Sequence, residues 1–213
     1  MKKKNLSIAL CLLTAFILWT TLIRFIDVQA IGPEGSSVGF ATLNNLVHNL
    51  TGTNMLLYTI TDWLGLVPIA IAFAFTIVGF VQLIKRKNLW KVDYSILALG
   101  IFYMVVIASY ILFEVVVINY RPVLINGHLE ASYPSSTTML VMCVIPTTAL
   151  QLKTRIKNKI FRQSVLITLV TFIAFMVIGR LISGVHWCTD IIGGALLSAG
   201  LVMMYKTFSK CSK

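Results

Sequence analysis

Charged residues are scarce in this chain. They make up 12% of its 213 residues, about half the quarter found in an ordinary soluble domain. Soluble globular folds and disordered tails are poor fits on that ground alone. Acidic residues are the scarcer sign: seven, against 18 lysines and arginines, for a formal charge of +11. That excess does not mark a nucleic-acid binder, because the basic residues are gathered between apolar runs rather than spread over one polar surface. Cysteine is limited to Cys11, Cys143, Cys188 and Cys211, with no Cys-x-x-Cys pair. A disulfide scaffold and a thiolate metal centre are therefore not expected, and no metal or cofactor is implied. What remains is apolar, with 58% hydrophobic residues and a mean hydropathy of +0.88. This is the composition of an integral membrane protein.

A bilayer core about 30 Å thick takes about 20 apolar residues per helix. The apolar runs predict an all-α polytopic domain over 1–213 with six transmembrane helices, at approximately 5–23, 63–84, 94–118, 135–152, 163–182 and 187–205. The runs are continuous rather than alternating, so a strand barrel does not fit them. Lys2, Lys3 and Lys4 precede the first span, and Lys85, Arg86, Lys87 and Lys91 follow the second. Lys153, Arg155, Lys157, Lys159 and Arg162 separate the fourth and fifth, and Lys206, Lys210 and Lys213 come after the sixth. These 15 of the 18 basic residues fall on one side, which predicts that both termini are cytoplasmic. Attraction to anionic lipid accounts for the clusters without any nucleic acid. The N-terminal run ends in Val28-Gln29-Ala30 like a secretory signal, but it exceeds the usual core of about 7–15 residues, so an uncleaved first span is expected.

Arg24, Arg121 and Arg180 lie at outer span ends against that bias, and His48, His128 and His186 lie on the same side. Between the first two spans, turn formers precede Phe40, Leu43, Leu46, Val47 and Leu50 at helical spacing, with Asn44, Asn45, His48 and Asn49 on the other face. This predicts a short amphipathic helix on the outer leaflet, with His48 as a polar-face residue. No repeat or soluble appendage is visible.

Three sets of residues converge at one membrane depth. The third span ends in Arg121-Pro122, the fourth begins Pro134-Ser135-Ser136-Thr137, and the fifth and sixth are joined by 180–190. His186 and Asp190, four residues apart, project from one helical face, and a carboxylate behind an imidazole fixes its tautomer and stabilises its charged form. Ser183-Gly184 supplies a break that can bring Arg180 round to His186. Arg121 and Arg180 would then form fork-shaped anion clamps suited to phosphate. The helix start at Ser135 and Ser136 adds backbone N–H groups that favour an anion. The sum predicts an outward-facing phosphate site with a histidine nucleophile.

This ordered set resembles the type 2 phosphatidic acid phosphatases, the PAP2 family of membrane lipid phosphatases related to vanadium haloperoxidases. That family carries a Lys, six residues, then Arg-Pro; a Pro-Ser-Gly-His; and an Arg, five residues, His, three residues, Asp. The third motif is complete as Arg180, His186 and Asp190, the first retains Arg121-Pro122, and the second retains Pro134-Ser135. The resemblance implies metal-independent hydrolysis of a phosphate or diphosphate on a membrane lipid through a phosphohistidine at His186. Asp190 would orient it, and Arg121, Arg180, Ser135 and Ser136 would hold phosphate oxygens. Polyprenyl diphosphate, phosphatidate and phosphatidylglycerol phosphate are compatible substrates, and a bacterial inner membrane is the expected location.

Two positions depart from the family. Glu114 stands where the first motif has lysine, and Thr137 where the second has the histidine that protonates the leaving oxygen. Glu114 in its apolar span, His128 in the preceding loop and Thr137 itself are the candidate acids, and Glu114 could instead form a structural ion pair. A protein that binds or moves phosphorylated lipids without turnover, and a lipid phosphotransferase, are the alternative functions.

Overall fold

The computed structural model describes residues 2–209. Lys210, Cys211 and Lys213 of the expected cytoplasmic tail lie outside the described residues. Eight α-helices form: α1 (Lys2–Phe25), α2 (Ala41–Thr51), α3 (Met55–Leu64), α4 (Leu66–Arg86), α5 (Tyr94–Val115), α6 (Ser136–Arg155), α7 (Lys159–Ile182) and α8 (Cys188–Phe208). No strand forms among the described residues. Isolated antiparallel bridges pair Gln29 with Val38, Tyr120 with Ala131 and Ile125 with His128.

Among the described residues five stretches are long and apolar enough to cross a membrane: Lys2–Phe25, Met55–Arg86, Tyr94–Val115, Lys159–Ile182 and Cys188–Phe208. Their outward side chains suit lipid, as with Phe73, Phe80 and Ile84 on α4 and Ile167, Val170 and Ile178 on α7. The predicted fourth span is a helix of a different kind. α6 packs against α4, α5, α7 and α8, and ten of its 20 residues are buried. Facing protein rather than lipid, it carries threonines where the others carry aliphatic residues. Thr147 and Thr148 donate to the carbonyls of Cys143 and Val144, each at 2.8 Å, which satisfies the hydroxyls within the helix.

The core joins α1, α5, α6 and α8 through Phe16, Leu99, Phe102, Met139, Leu197 and Tyr205, with Tyr133 from the loop before α6. Tyr133 stacks on Phe16 at 6.2 Å, and its hydroxyl lies 2.7 Å from Thr20 Oγ1. It reaches α8 because residue 193 is glycine: a Cβ there would come within 2.4 Å of the ring.

The second span starts earlier than the sequence expectation. The stretch before residue 63, read as loop, is helical from Met55, capped by the Asn54 side chain and broken from α4 at Gly65. Counting charge-free residues stopped the span at Asp62, yet Asp62 sits inside α3 with a partner on α7 (Arg180, 3.2 Å). The amphipathic helix is present as α2, with Leu46 and Leu50 exposed. Part of its polar face is turned to the protein, with Asn44 fully buried and donating to Thr189 Oγ1 at 3.0 Å and His48 packed on the Trp187 ring at 5.6 Å, while Asn45 and Asn49 are exposed.

Candidate active site

The His186 side of the site is built at the start of α8. Asp190 lies in its first turn, where the positive end of the helix favours a carboxylate. It is fully buried, and every contact is made: Oδ2 accepts from the Trp187 N–H at 2.9 Å and from the Ser132 hydroxyl, and Oδ1 accepts from Asn119 Nδ2 at 3.3 Å. The chain turns from α7 into α8 at Gly184, whose φ of +66° and close approach to the Gly52 carbonyl (1.8 Å from an added Cβ) both require glycine. That turn brings His186 back over Asp190.

His186 is 4% exposed. Its Nδ1 lies 3.1 Å from the Ser132 carbonyl, 3.2 Å from the Ser132 hydroxyl and 3.8 Å from Asp190 Oδ2. A carbonyl only accepts, so the network assigns the proton to Nδ1 and leaves the lone pair on Nε2. Nε2 faces Arg121, whose Nη1 donates to it at 3.3 Å. Burial holds the His186 imidazole well below its ordinary 6.5, the charges of Arg121 and Arg180 push it further down, and the Ser132 carbonyl opposes them. A neutral imidazole with a free Nε2 is the form that can attack phosphorus.

The two arginines are not equivalent. Arg121 starts a hairpin whose arms are joined by the Tyr120–Ala131 bridge, and its Nε lies 3.1 Å from Glu130 Oε2 across that hairpin. Arg180, 1% exposed, turns to α3 instead: Nη2 donates to Asp62 at 3.2 Å, and Nη1 donates to Thr61 Oγ1 at 3.2 Å and to the Tyr58 carbonyl at 3.4 Å. The Tyr58 ring stands beside both, 4.7 Å from the Arg180 guanidinium and 6.0 Å from that of Arg121. The buried Nε of Arg180 remains without a hydrogen-bond partner, while that of Arg121 faces the Glu130 carboxylate. Two guanidinium groups near one imidazole, Arg121 in contact with it, suit an anion.

Of the second-motif residues, Ser135 is committed to structure. Its hydroxyl caps α6 by accepting from the Thr138 N–H at 3.5 Å, and its N–H donates to the Asp190 carbonyl at 3.1 Å, tying the starts of α6 and α8 together. Ser136 is the open one. It lines a small cavity with His186, Ser132, Tyr110 and Glu114. Glu114 is exposed there and forms no ion pair among the described residues, so the structural pair considered for it is not made. Thr137 instead lines a neighbouring groove of about 560 Å³ between α4, α5 and α6, walled by Leu66, Ile69, Val106, Leu140 and Val144 and entered past Asp62, Tyr110 and Ser136. His128 is exposed at the hairpin tip, bridged to Ile125 by backbone, and is not among the residues that line the cavity. Among the described residues no three His, Cys, Asp or Glu side chains are placed to hold a metal ion.

Sequence reasoning missed Ser132, Asn119, Tyr58 and Asp62. Asp62 carried a signal, as one of only seven acids and at the end of an apolar run where an outer arginine needs a counter-charge. Ser132 and Asn119 carried none beyond their nearness to Pro134-Ser135 and Arg121-Pro122.

Residues 114–212 match the family model of the PAP2 superfamily. The match spans a little under half of the chain. The matched PAP2 segment contains α6, α7 and α8 and every motif residue discussed above. The whole fold is similar to the crystal structure of the first transmembrane PAP2 type phosphatidylglycerolphosphate phosphatase from Bacillus subtilis, with a TM-score of 0.61, 19% identity, and coverage of 96% of this chain and 97% of that one. No curated protein sequence matches the chain.

Proposed function

We propose that this protein is a multi-pass membrane lipid phosphatase that removes a phosphate or diphosphate head group through a phosphohistidine on His186. The observation that carries the reading is the orientation of His186: Nδ1–H is held by Ser132, and the unprotonated Nε2 faces Arg121 and accepts from it. A phosphoryl group entering between Nε2 and Arg121 exchanges that nitrogen–arginine contact for a charge-assisted bond from Arg121 to a phosphate oxygen. Nε2 then attacks phosphorus in line, the bond from phosphorus to the lipid oxygen breaks, and that oxygen takes a proton. Water cleaves the phosphohistidine in the second step and releases inorganic phosphate. Arg180 would add positive charge from behind Tyr58 and Asp62. Ser136 supplies a hydroxyl on the cavity side.

Glu114 is the acid this reading assigns to the leaving oxygen, because it lines the cavity with His186 while Thr137 and His128 do not. The apolar groove beside Ser136 suits the lipid tail. A polyprenyl diphosphate, phosphatidate or a phosphatidylglycerol phosphate fits this plan, the last being named for the Bacillus subtilis structure of similar fold. Six membrane crossings, with α6 as the central one, would put the site at the outer face and both termini in the cytoplasm. The gathering of lysine and arginine at the helix ends opposite His186 supports that orientation. Thr137 favours a second reading, a lipid-binding protein without turnover, since it offers a hydroxyl where the family has an acid.

The test is phosphate release by the purified chain in detergent from a panel of lipid phosphates and diphosphates, beside His186→Ala. Release that disappears in the variant is expected. No release from any lipid, with both proteins binding those lipids equally, would leave the binding reading.

A further inference from the structure

We infer that Ser132 is the positioning residue of the site, the group through which Asp190 acts on His186; this deepens the phosphatase reading above. In the sequence pattern Asp190 should orient the imidazole directly. In the structure it stands 3.8 Å from Nδ1, beyond hydrogen-bond reach, and Ser132 fills the gap with two atoms. Its carbonyl and its hydroxyl oxygen share the Nδ1–H, at 3.1 and 3.2 Å, and the hydroxyl proton goes on to Asp190 Oδ2. The donors and acceptors close only in this direction. Nδ1–H donates to Ser132, the Ser132 O–H donates to the carboxylate, and Asp190 takes its remaining bonds from Trp187 N–H and Asn119.

Ser132 is itself fixed. It is 3% exposed, its N–H donates to the Asn119 carbonyl at 2.9 Å, and Tyr133 next to it is anchored in the core. The base of the hairpin that carries Arg121 therefore sets the pose of the nucleophile as well. When Nε2 takes a phosphoryl group the ring becomes cationic, and the chain Nδ1–H to Ser132 to Asp190 is where that charge is met. The charged groups around the ring are Arg121 on the Nε2 side, Asp190 behind Ser132, and Arg180 from α7.

The test uses the full chain in detergent, with phosphatidate and a prenyl diphosphate as probes, and compares wild type, Ser132→Ala and Ser132→Thr. Ser132→Ala is expected to lower kcat by about 10²-fold, the scale of a small misplacement of a reacting group, with KM unchanged. Ser132→Thr keeps the hydroxyl and is expected to recover most of that rate. Thermal unfolding of each variant reports folding separately. The second readout does not need turnover: nitrogen NMR of labelled histidines, with His186→Ala identifying the signal. In Ser132→Ala the released Asp190 carboxylate can close on Nδ1 and favour the imidazolium, so the His186 midpoint is expected to rise. An unchanged kcat, an unchanged His186 midpoint, or a threonine variant as slow as the alanine one overturns the role. If wild type releases no phosphate, the phosphatase reading fails, and the NMR midpoint still decides whether Ser132 governs His186.

Discussion

Asp190 and Glu114 are two carboxylates of one candidate site, and they are held on opposite terms. Asp190 is fully buried, at the start of a helix, with hydrogen bonds from Ser132, Trp187 and Asn119. Glu114 stands near the end of α5, exposed, lining a cavity and forming no ion pair among the described residues. The difference separates what must be rigid from what must admit a substrate. A nucleophile works from one fixed pose, and its cost of ordering is met in folding. On the phosphatase reading the other side receives a lipid oxygen from the adjoining groove, and there Glu114 is exposed and bonded only to the neighbouring Tyr110 among the described residues.

Removing the fixed side entirely is expected to have the largest effect: His186→Ala should take phosphate release to background, read by steady-state assay. On the open side, Glu114→Gln is expected to lower kcat by about 10²–10⁴-fold, the usual contribution of a general acid, while Thr137→Val changes it little. The comparison breaks if His128→Ala shows the loss and Glu114→Gln does not. Arg121→Ala is expected to cost about 10²–10³-fold, as for one preorganised donor to developing charge, because Arg121 is the cation directly on Nε2.

The pH dependence sharpens the same contrast. Because the folded protein holds His186 well below 6.5, the imidazole stays neutral through pH 6.5 and kcat/KM should show no inflection there from this group, falling only at more acid pH. The unfolded chain takes up that proton first as pH falls through 6.5, so His186's contribution to stability is complete above 6.5 and is lost as pH drops toward the folded value. Melting temperatures across pH 5–8, with His186→Ala as reference, check the sign. The smallest effect is expected far from the site. Asp93 at the start of α5 is held below 3.8 chiefly by its hydrogen bond from Arg86, a half-exposed ion pair at 2.9 Å. Asp93→Asn should cost about 1 kcal/mol or less in stability and leave kcat unchanged.

Much of this was legible in the sequence, for reasons that differ from part to part. Runs such as 94–115 and 163–182 are read easily because lipid-facing helices must be apolar all round. The central α6 was found only as a charge-free run, since its threonines are tolerated by burial against protein. The Asp62 boundary was misplaced by the same counting rule, which treats a charge as an end when it can be half of a pair. His186, Asp190 and Arg121 were legible because their chemistry fixes their spacing in two short stretches. Ser132, Tyr58 and Asp62 were not, because their roles depend on how the hairpin at 119–132 and α3 fold back onto α7 and α8. Linear spacing holds no record of that packing. The same packing directs Arg180 to α3 and Ser135 to the α6 cap, where the motif alone suggested phosphate contacts.

The central claim is that Nε2 of His186 carries the phosphoryl group. Its most direct measurement is capture of the phosphorylated protein: mix the full chain with a lipid phosphate labelled in the phosphoryl group, quench in base, and follow the label on wild type and His186→Ala. The expected result is label on wild type that survives base and is lost in acid, as a nitrogen–phosphorus bond requires, with none on the variant. Label of the same character on His186→Ala, or steady phosphate release by wild type with no captured label under any quench, would contradict it.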